Sequence, residues 1–103
     1  MKLIYIAHPY GNKPENYLLA EHYLSMLTKI YPKHCFISPV LTFGSLYDEV
    51  SYMQGMDMCL TLLARCDELW LLPDKDGNTE SRGTKIEVRF CEENSIPHKS
   101  VKV

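Results

Sequence analysis

Short apolar runs alternate along this chain with longer segments in which apolar residues recur every three or four positions. The first run, Lys2 to Ala7, stops at a loop that Pro9 and Gly11 keep irregular. Similar runs predict strands at His34 to Ser38, Glu68 to Leu72 and Ser100 to Val103. Helical spacing fills the intervals, from Pro14 to just before Pro32, from Asp48 to about Arg65 and from Arg82 to Asn94. The predicted order is therefore βαβαβαβ, with Asn12 capping the first helix and a polar loop at Pro39 to Leu46.

This order predicts an α/β three-layer sandwich with a four- to five-stranded, mainly parallel sheet of the flavodoxin-like or Rossmann-like kind. Strands that alternate with helices pair in parallel, and right-handed crossovers place helices on both faces of the sheet. A length of 103 residues leaves room for one domain, residues 1–103. Ligands bind outside the carboxyl ends of such strands. The loops expected at that edge run from His8 to Asn12, Ser38 to Ser45 and Pro73 to Ser81.

The overall charge and the apolar stretches argue against several classes of protein. A net charge of −2 gives no electrostatic reason to bind a nucleic-acid polymer, although a single nucleotide stays possible. No apolar stretch approaches the roughly 20 residues of a membrane span, and no signal sequence opens the chain, so we expect a cytoplasmic protein. The four cysteines form no CxxC pair and the four histidines no zinc-type spacing. We therefore predict reduced core thiols, no metal and no cofactor.

Glu87 is the side chain whose position on its helix most needs an explanation. Steps of about 100° per residue gather the other charges of the last helix, Arg82 among them, on a solvated face. Glu87 lies nearly opposite, so its carboxylate is aimed at the sheet, where an unpaired charge costs several kcal/mol in order of magnitude. Two interpretations stay open: a working carboxylate, or a tilted helix that leaves Glu87 half exposed or salt-bridged.

Other candidate groups also have two interpretations each. Gly83 lets a ligand approach the helix start, where Ser81, Thr84 and free N–H groups could hold an anion; equally, Ser81 could be a plain N-cap. Asp57 falls within the apolar arc of the middle helix, either as an inward carboxylate or at its rim. The Tyr5 hydroxyl could partner a carboxylate or merely pack. The remaining aromatic residues are expected to be core, with one or two left to stack on a base.

Two stretches resemble the nucleoside 2-deoxyribosyltransferase-like superfamily. One is Ile4-Tyr-Ile-Ala-His-Pro-Tyr-Gly11, and the other is Cys66-Asp-Glu-Leu-Trp-Leu followed by Ser81-Arg-Gly-Thr-Lys-Ile-Glu87. The resemblance spans nearly the whole chain and is closer to a branch of short bacterial and phage domains whose function is largely unassigned. Serine six residues before the glutamate is similar to the deoxynucleoside 5′-monophosphate N-glycosidases, whereas the transferases often have an aspartate there. The sequence ends at Val103, before the longer C-terminal segment with which transferases complete a neighbouring subunit's pocket.

The resemblance implies catalytic roles for three residues. Glu87 would attack the anomeric carbon of the sugar, Tyr5 would orient it, and Asp57 would assist at the base or sugar. The reaction would be a retaining double displacement through a covalent deoxyribosyl ester, which water or a second base then opens. The resemblance also implies that Ser81 contacts a phosphate. The other substrate-binding residues that we predict are His8, Pro9, Tyr10, Gly11, Gly83 and Thr84.

Two functions remain open from the sequence. The first is an enzyme acting on the N-glycosidic bond of a 2′-deoxynucleoside or its 5′-monophosphate, by hydrolysis or base exchange. The second is a nucleotide-binding or sensor module that keeps the pocket without efficient chemistry. A homodimer or higher homo-oligomer is expected, because one short domain offers little wall for a pocket and Met53, Met56 and Met58 supply adaptable apolar surface.

Overall fold

The computed structural model describes residues 1–102 and has four strands and four α-helices. The strands are β1 (Lys2–Ala7), β2 (His34–Ile37), β3 (Glu68–Leu71) and β4 (His98–Ser100). The helices are α1 (Pro14–Ile30), α2 (Pro39–Phe43), α3 (Tyr52–Leu63) and α4 (Arg82–Glu93), with a 3-10 turn at Gly44–Leu46. All strand pairs are parallel, in the order β2-β1-β3-β4. The predicted α/β fold with a four-stranded parallel sheet is confirmed.

Strand β1 lies between β2 and β3, and alternate side chains along it enter two separate cores. Ile4 and Ile6 pack with Tyr23 and Leu27 of α1 on one face of the sheet. Tyr5 and Ala7 point to the other face, where the buried residues Leu63 of α3 and Cys91 of α4 join them. The helices therefore cover both faces, as predicted, and Tyr5 lies beneath α3 and α4. Within residues 1–102, no helix is long and apolar enough to cross a membrane.

The segment between β2 and α3 differs from the prediction of a loop and of a helix beginning at Asp48. Ser38 accepts a hydrogen bond from the Leu41 N–H, and Pro39 stands at the first helical position, so the chain forms the short helix α2. Ser51 caps α3 by accepting from the Gln54 N–H, so that helix begins at Tyr52. Both capping serines can be seen in the sequence, but the prediction followed the apolar spacing, which extends back to Asp48.

Three smaller predictions also need correction. Asn12 has a φ of 56° and does not cap α1, because Lys13 occupies the N-cap position and makes no side-chain capping bond. The last strand comes earlier than predicted, at His98–Ser100, and Val103 lies outside the described residues. Among the free cysteines, Cys66 and Cys91 are buried but Cys35 is exposed, so it is not a core thiol.

Candidate active site

A cavity of about 390 Å³ opens at the carboxyl ends of the strands, within the size range of small-molecule sites. One wall comes from α2 and the 3-10 turn, a second from α3, and the third from the start of α4 and the loop after β1. The lining is mainly apolar and aromatic, as Val40, Phe43, Tyr47, Val50 and Met56 show. This is the edge of the sheet where the sequence predicted a ligand.

Glu87 lies at the floor of this cavity, against the middle of the sheet. Its side chain is only 5% exposed, yet the residue lines the cavity. Tyr5, fully buried on β1 between Ile37 and Leu69, donates its hydroxyl hydrogen bond to Glu87 Oε2. The structure thus brings these two predicted residues together and gives the buried carboxylate a neutral donor instead of a cation.

Burial sets the protonation of the groups around this carboxylate. It raises the pKa of Glu87 to about 7, and the Tyr5 hydrogen bond only partly offsets that rise. Burial, followed by the charge of Glu87, raises the pKa of Tyr5 well above its usual value. The same two causes raise the pKa of Cys59, which also lines the cavity, to about 11. Tyr5 and Cys59 therefore stay protonated at neutral pH while Glu87 is poised between its two forms.

The loop after β1 supplies His8, Tyr10 and Gly11 to the cavity, whereas Pro9 is not among the lining residues. His8 is buried, and its Nδ1 lies 2.9 Å from the Pro9 carbonyl oxygen. Since a carbonyl only accepts, Nδ1 carries the proton. Burial lowers the pKa of His8, so the ring is neutral. Gly11 has a φ of 57°, in the left-handed region that glycine tolerates best.

At the start of α4 the hydroxyls of Ser81 and Thr84 are engaged with the helix itself. Ser81 Oγ accepts from the Thr84 N–H at 3.1 Å, and Thr84 Oγ1 accepts from the Ser81 N–H at 2.8 Å. Thr84 Oγ1 also lies 2.9 Å from the Thr79 carbonyl oxygen. This reciprocal capping box means that the plain N-cap interpretation of Ser81 holds. Ser81, Gly83 and Thr84 all line the cavity as well.

Asp57 does not reach the cavity, and the expectation of an inward carboxylate is wrong. Its side chain is exposed, and it is absent from the lining between Met56 and Met58. The buried face of α3 centres on Met56 and Leu63. Asp57 follows Met56 by about 100° of helical rotation, which carries it to the rim of that face.

Two residues that the sequence analysis left out do line the cavity. Arg82, expected on the solvated face, has its guanidinium carbon 4.3 Å from the centroid of the Tyr52 ring. Tyr52, expected to be core, is 38% exposed. A helix begun at the Ser51 cap would have placed Tyr52 one turn before Met56, on the cavity side. Nothing in the sequence shows that the starts of α3 and α4 meet.

Comparisons with known proteins agree with this fold. Residues 2–101 match a family described as "Domain of unknown function (DUF7768)". A search of curated proteins found no significant match. Among solved structures, the chain is similar to a 2-desoxiribosyltransferase from Leishmania mexicana, with a TM-score of 0.68 and 16% sequence identity over 97% of the chain. The chain spans 63% of the length of that structure. The fold is therefore of the nucleoside 2-deoxyribosyltransferase-like kind.

Proposed function

This chain belongs to the family described as a domain of unknown function (DUF7768), and we propose that it breaks the N-glycosidic bond of a 2′-deoxynucleoside or its 5′-monophosphate. The likeness to a 2-desoxiribosyltransferase makes an enzyme of that superfamily the leading candidate. The cavity itself also supports this reaction, because it contains a buried carboxylate with a tyrosine hydroxyl bonded to it.

The observation that carries the proposal is the buried pair of Tyr5 and Glu87 at the floor of an open cavity. A carboxylate buried away from water and from any cation lowers the stability of the fold, and such groups cluster at functional sites. In residues 1–102, the salt bridges of the structure leave Glu87 out. Its partner is a hydroxyl that fixes one oxygen, Oε2, and leaves the other oxygen, Oε1, for a ligand. This arrangement supports a nucleophilic carboxylate oriented by a tyrosine.

We assign the two steps of a retaining displacement to these residues. A Glu87 oxygen bonds to the anomeric carbon as the bond from that carbon to the base nitrogen breaks, and the electron pair leaves with the base. Tyr5 holds Glu87 in place through both steps. Water or a second base then attacks the same carbon and frees the carboxylate. The neutral aromatic lining suits a nucleobase, whose flat faces stack on rings such as Phe43 and Tyr47.

The start of α4 supports a place for the 5′ side of the substrate. Gly83 has no side chain to keep a ligand away from the helix start. The N–H groups of the first turn belong to the positive end of the helix dipole. Because Ser81 already caps the helix, we propose that its contribution to phosphate binding is to hold these backbone groups in position as well as to offer its hydroxyl.

Release of free base from a panel of deoxynucleosides and their 5′-monophosphates tests the proposal directly. Separation of the products by chromatography would show a free base together with deoxyribose or its 5-phosphate, or a new nucleoside if a second base is added. Turnover of at least one substrate is expected. A panel in which every compound is recovered intact would contradict the enzymatic proposal.

A second function is favoured by the pKa of Glu87. At a pKa of about 7, roughly half of the carboxyls are protonated at neutral pH, and a protonated carboxyl donates a hydrogen bond instead of attacking. A nucleotide-binding module would use Glu87 in that way. It would bind members of the same panel, as measured by calorimetry, without releasing base at any pH from 6 to 9.

A further inference from the structure

Tyr52 places a phenol hydroxyl beside the start of α4, at the edge of the cavity. Tyr52 is the first residue of α3, and its hydroxyl oxygen lies 3.5 Å from the position that a Cβ on Gly83 would occupy. Arg82 stands over the ring, with its guanidinium carbon 4.3 Å from the centroid. The side chain therefore joins the starts of α3 and α4, and it lines the same cavity as Glu87.

The proposed reaction requires a proton donor, and several groups near the cavity are exposed or already engaged elsewhere. A purine or pyrimidine that leaves as an anion is a poor leaving group, so its nitrogen needs a proton as the bond breaks. Asp57 is exposed and outside the cavity. The Tyr5 proton is engaged with Glu87, and the His8 proton is engaged with the Pro9 carbonyl. Tyr10 donates towards Asn12 Oδ1 at 3.2 Å.

Tyr52 and Glu87 both line the cavity, one at its edge and the other at its floor. The Tyr52 hydroxyl lies beside Gly83, which precedes Glu87 by four residues, about one turn of α4. In retaining glycosidases the nucleophile and the acid that protonates the leaving group flank the bond that breaks. A substrate with its anomeric carbon against Glu87 would therefore turn its base nitrogen towards Tyr52.

We infer that Tyr52 is the general acid of the proposed glycosidic reaction, donating its hydroxyl proton to the leaving base while Arg82 balances the charge that remains. This rests on the proposed function. As the carbon–nitrogen bond breaks, the electron pair goes to the base nitrogen, which takes the Tyr52 proton and departs neutral. The phenolate left behind is stabilised by the guanidinium over its ring. When water opens the glutamyl ester, its proton returns to the phenolate and both residues are restored.

A pair of substrates that differ in their need for a proton tests the inference. 2′-Deoxyguanosine must be protonated as guanine leaves, whereas 7-methyl-2′-deoxyguanosine already carries a positive charge on its base. For an enzyme that prefers pyrimidines, 2′-deoxyuridine and 5-fluoro-2′-deoxyuridine form the corresponding pair. Tyr52→Phe removes one oxygen and keeps the ring against Arg82. We expect kcat on the unactivated substrate to fall by about 10² to 10⁴, and kcat on the activated one to fall far less.

Tyr31→Phe is the matched control, since Tyr31 packs near Trp70 on the opposite face of the sheet. It should leave both rates unchanged. An equal loss on the two substrates in Tyr52→Phe would show a binding or structural role and would overturn the inference, and so would no loss at all. Each pair is used as nucleosides or as 5′-monophosphates, according to which form the wild-type chain accepts. A wild-type chain that releases base from no compound of the full panel contradicts the proposed function, and that result does not involve Tyr52→Phe.

Discussion

At the scale of single residues, Glu87 combines a position that helical geometry fixes with an environment that only the folded chain creates. Its inward direction follows from the period of α4, and for this reason the sequence alone identified it. Its pKa of about 7 follows from its burial against the sheet at the floor of the cavity. Function and stability should therefore respond in opposite ways when this carboxyl is replaced.

Glu87→Gln keeps the shape of the side chain and its capacity to accept from the Tyr5 hydroxyl, but it removes the nucleophile. Base release should fall by about three orders of magnitude or more, with nucleotide affinity nearly unchanged, because the lost interaction belongs to the transition state. Release of base at close to the wild-type rate would remove Glu87 from the mechanism. Glu92→Gln, an exposed change on the same helix, serves as the control.

The same variant should be more stable than the wild type, but only at higher pH. A carboxyl whose pKa rises from 4.5 to about 7 on folding gives stability that is fully present below about pH 4.5 and is lost as pH rises through 7. Since each tenfold change in proton affinity is worth about 1.4 kcal/mol, the wild type should lose roughly 3 kcal/mol over that window. Glutamine does not titrate. Urea unfolding at pH 4.5 and pH 8.5 should show the gain of Glu87→Gln only at pH 8.5; an equal difference at both would contradict the raised pKa.

At the scale of elements, regular spacing was predictable from the sequence, whereas contacts between elements were not. Strands β1, β2 and β3 and the three long helices follow from apolar periods that each segment contains within itself, whereas β4 (His98–Ser100) contains no apolar residue. Helix α2 was missed because it has only five residues and its start depends on a single capping serine, Ser38. Arg82 and Tyr52 were missed because they meet only when α3 and α4 pack side by side, which no local pattern specifies.

The start of α4 gives an element-scale prediction. Ser81→Ala removes the cap and should destabilise the chain by about 1 kcal/mol. If this helix start binds phosphate, the variant should also lose affinity for a deoxynucleoside 5′-monophosphate relative to the nucleoside. Ser38 does not itself line the cavity, and Ser38→Ala, which removes the cap of α2, should lose stability but keep the wild-type preference for the monophosphate over the nucleoside. Isothermal titration with each ligand pair is the measurement, and a Ser81→Ala preference for the monophosphate equal to that of the wild type would disprove the phosphate site.

At the scale of the whole molecule, residues 1–102 bring the cavity, its carboxylate and its cation together within one chain, around a single parallel sheet. That a single domain comprises all of residues 1–103 stays a prediction. The open question at this scale is what faces the cavity mouth, where exposed apolar side chains gather. Tyr47 and Tyr52 line the cavity and are 42% and 38% exposed, and Met53, the residue after Tyr52 on α3, is 58% exposed. Of the methionines expected to form contact surface, Met56 is instead buried in the structure, and Met53 remains the most available.

We expect these exposed side chains to pair two copies of the chain. A dimer through the mouth would remove Met53 and the neighbouring tyrosines from water and complete the wall around a ligand. Light scattering at tens of micromolar should give twice the mass of one chain, and Met53→Glu should shift the equilibrium to monomer, because a carboxylate would then be buried without a partner. Leu18→Glu is the matched control, since Leu18 is 64% exposed on α1, which packs on the opposite face of the sheet. A wild-type mass of one chain would contradict the dimer. An equal effect of Leu18→Glu would show that the dimer does not form through Met53 and the cavity mouth.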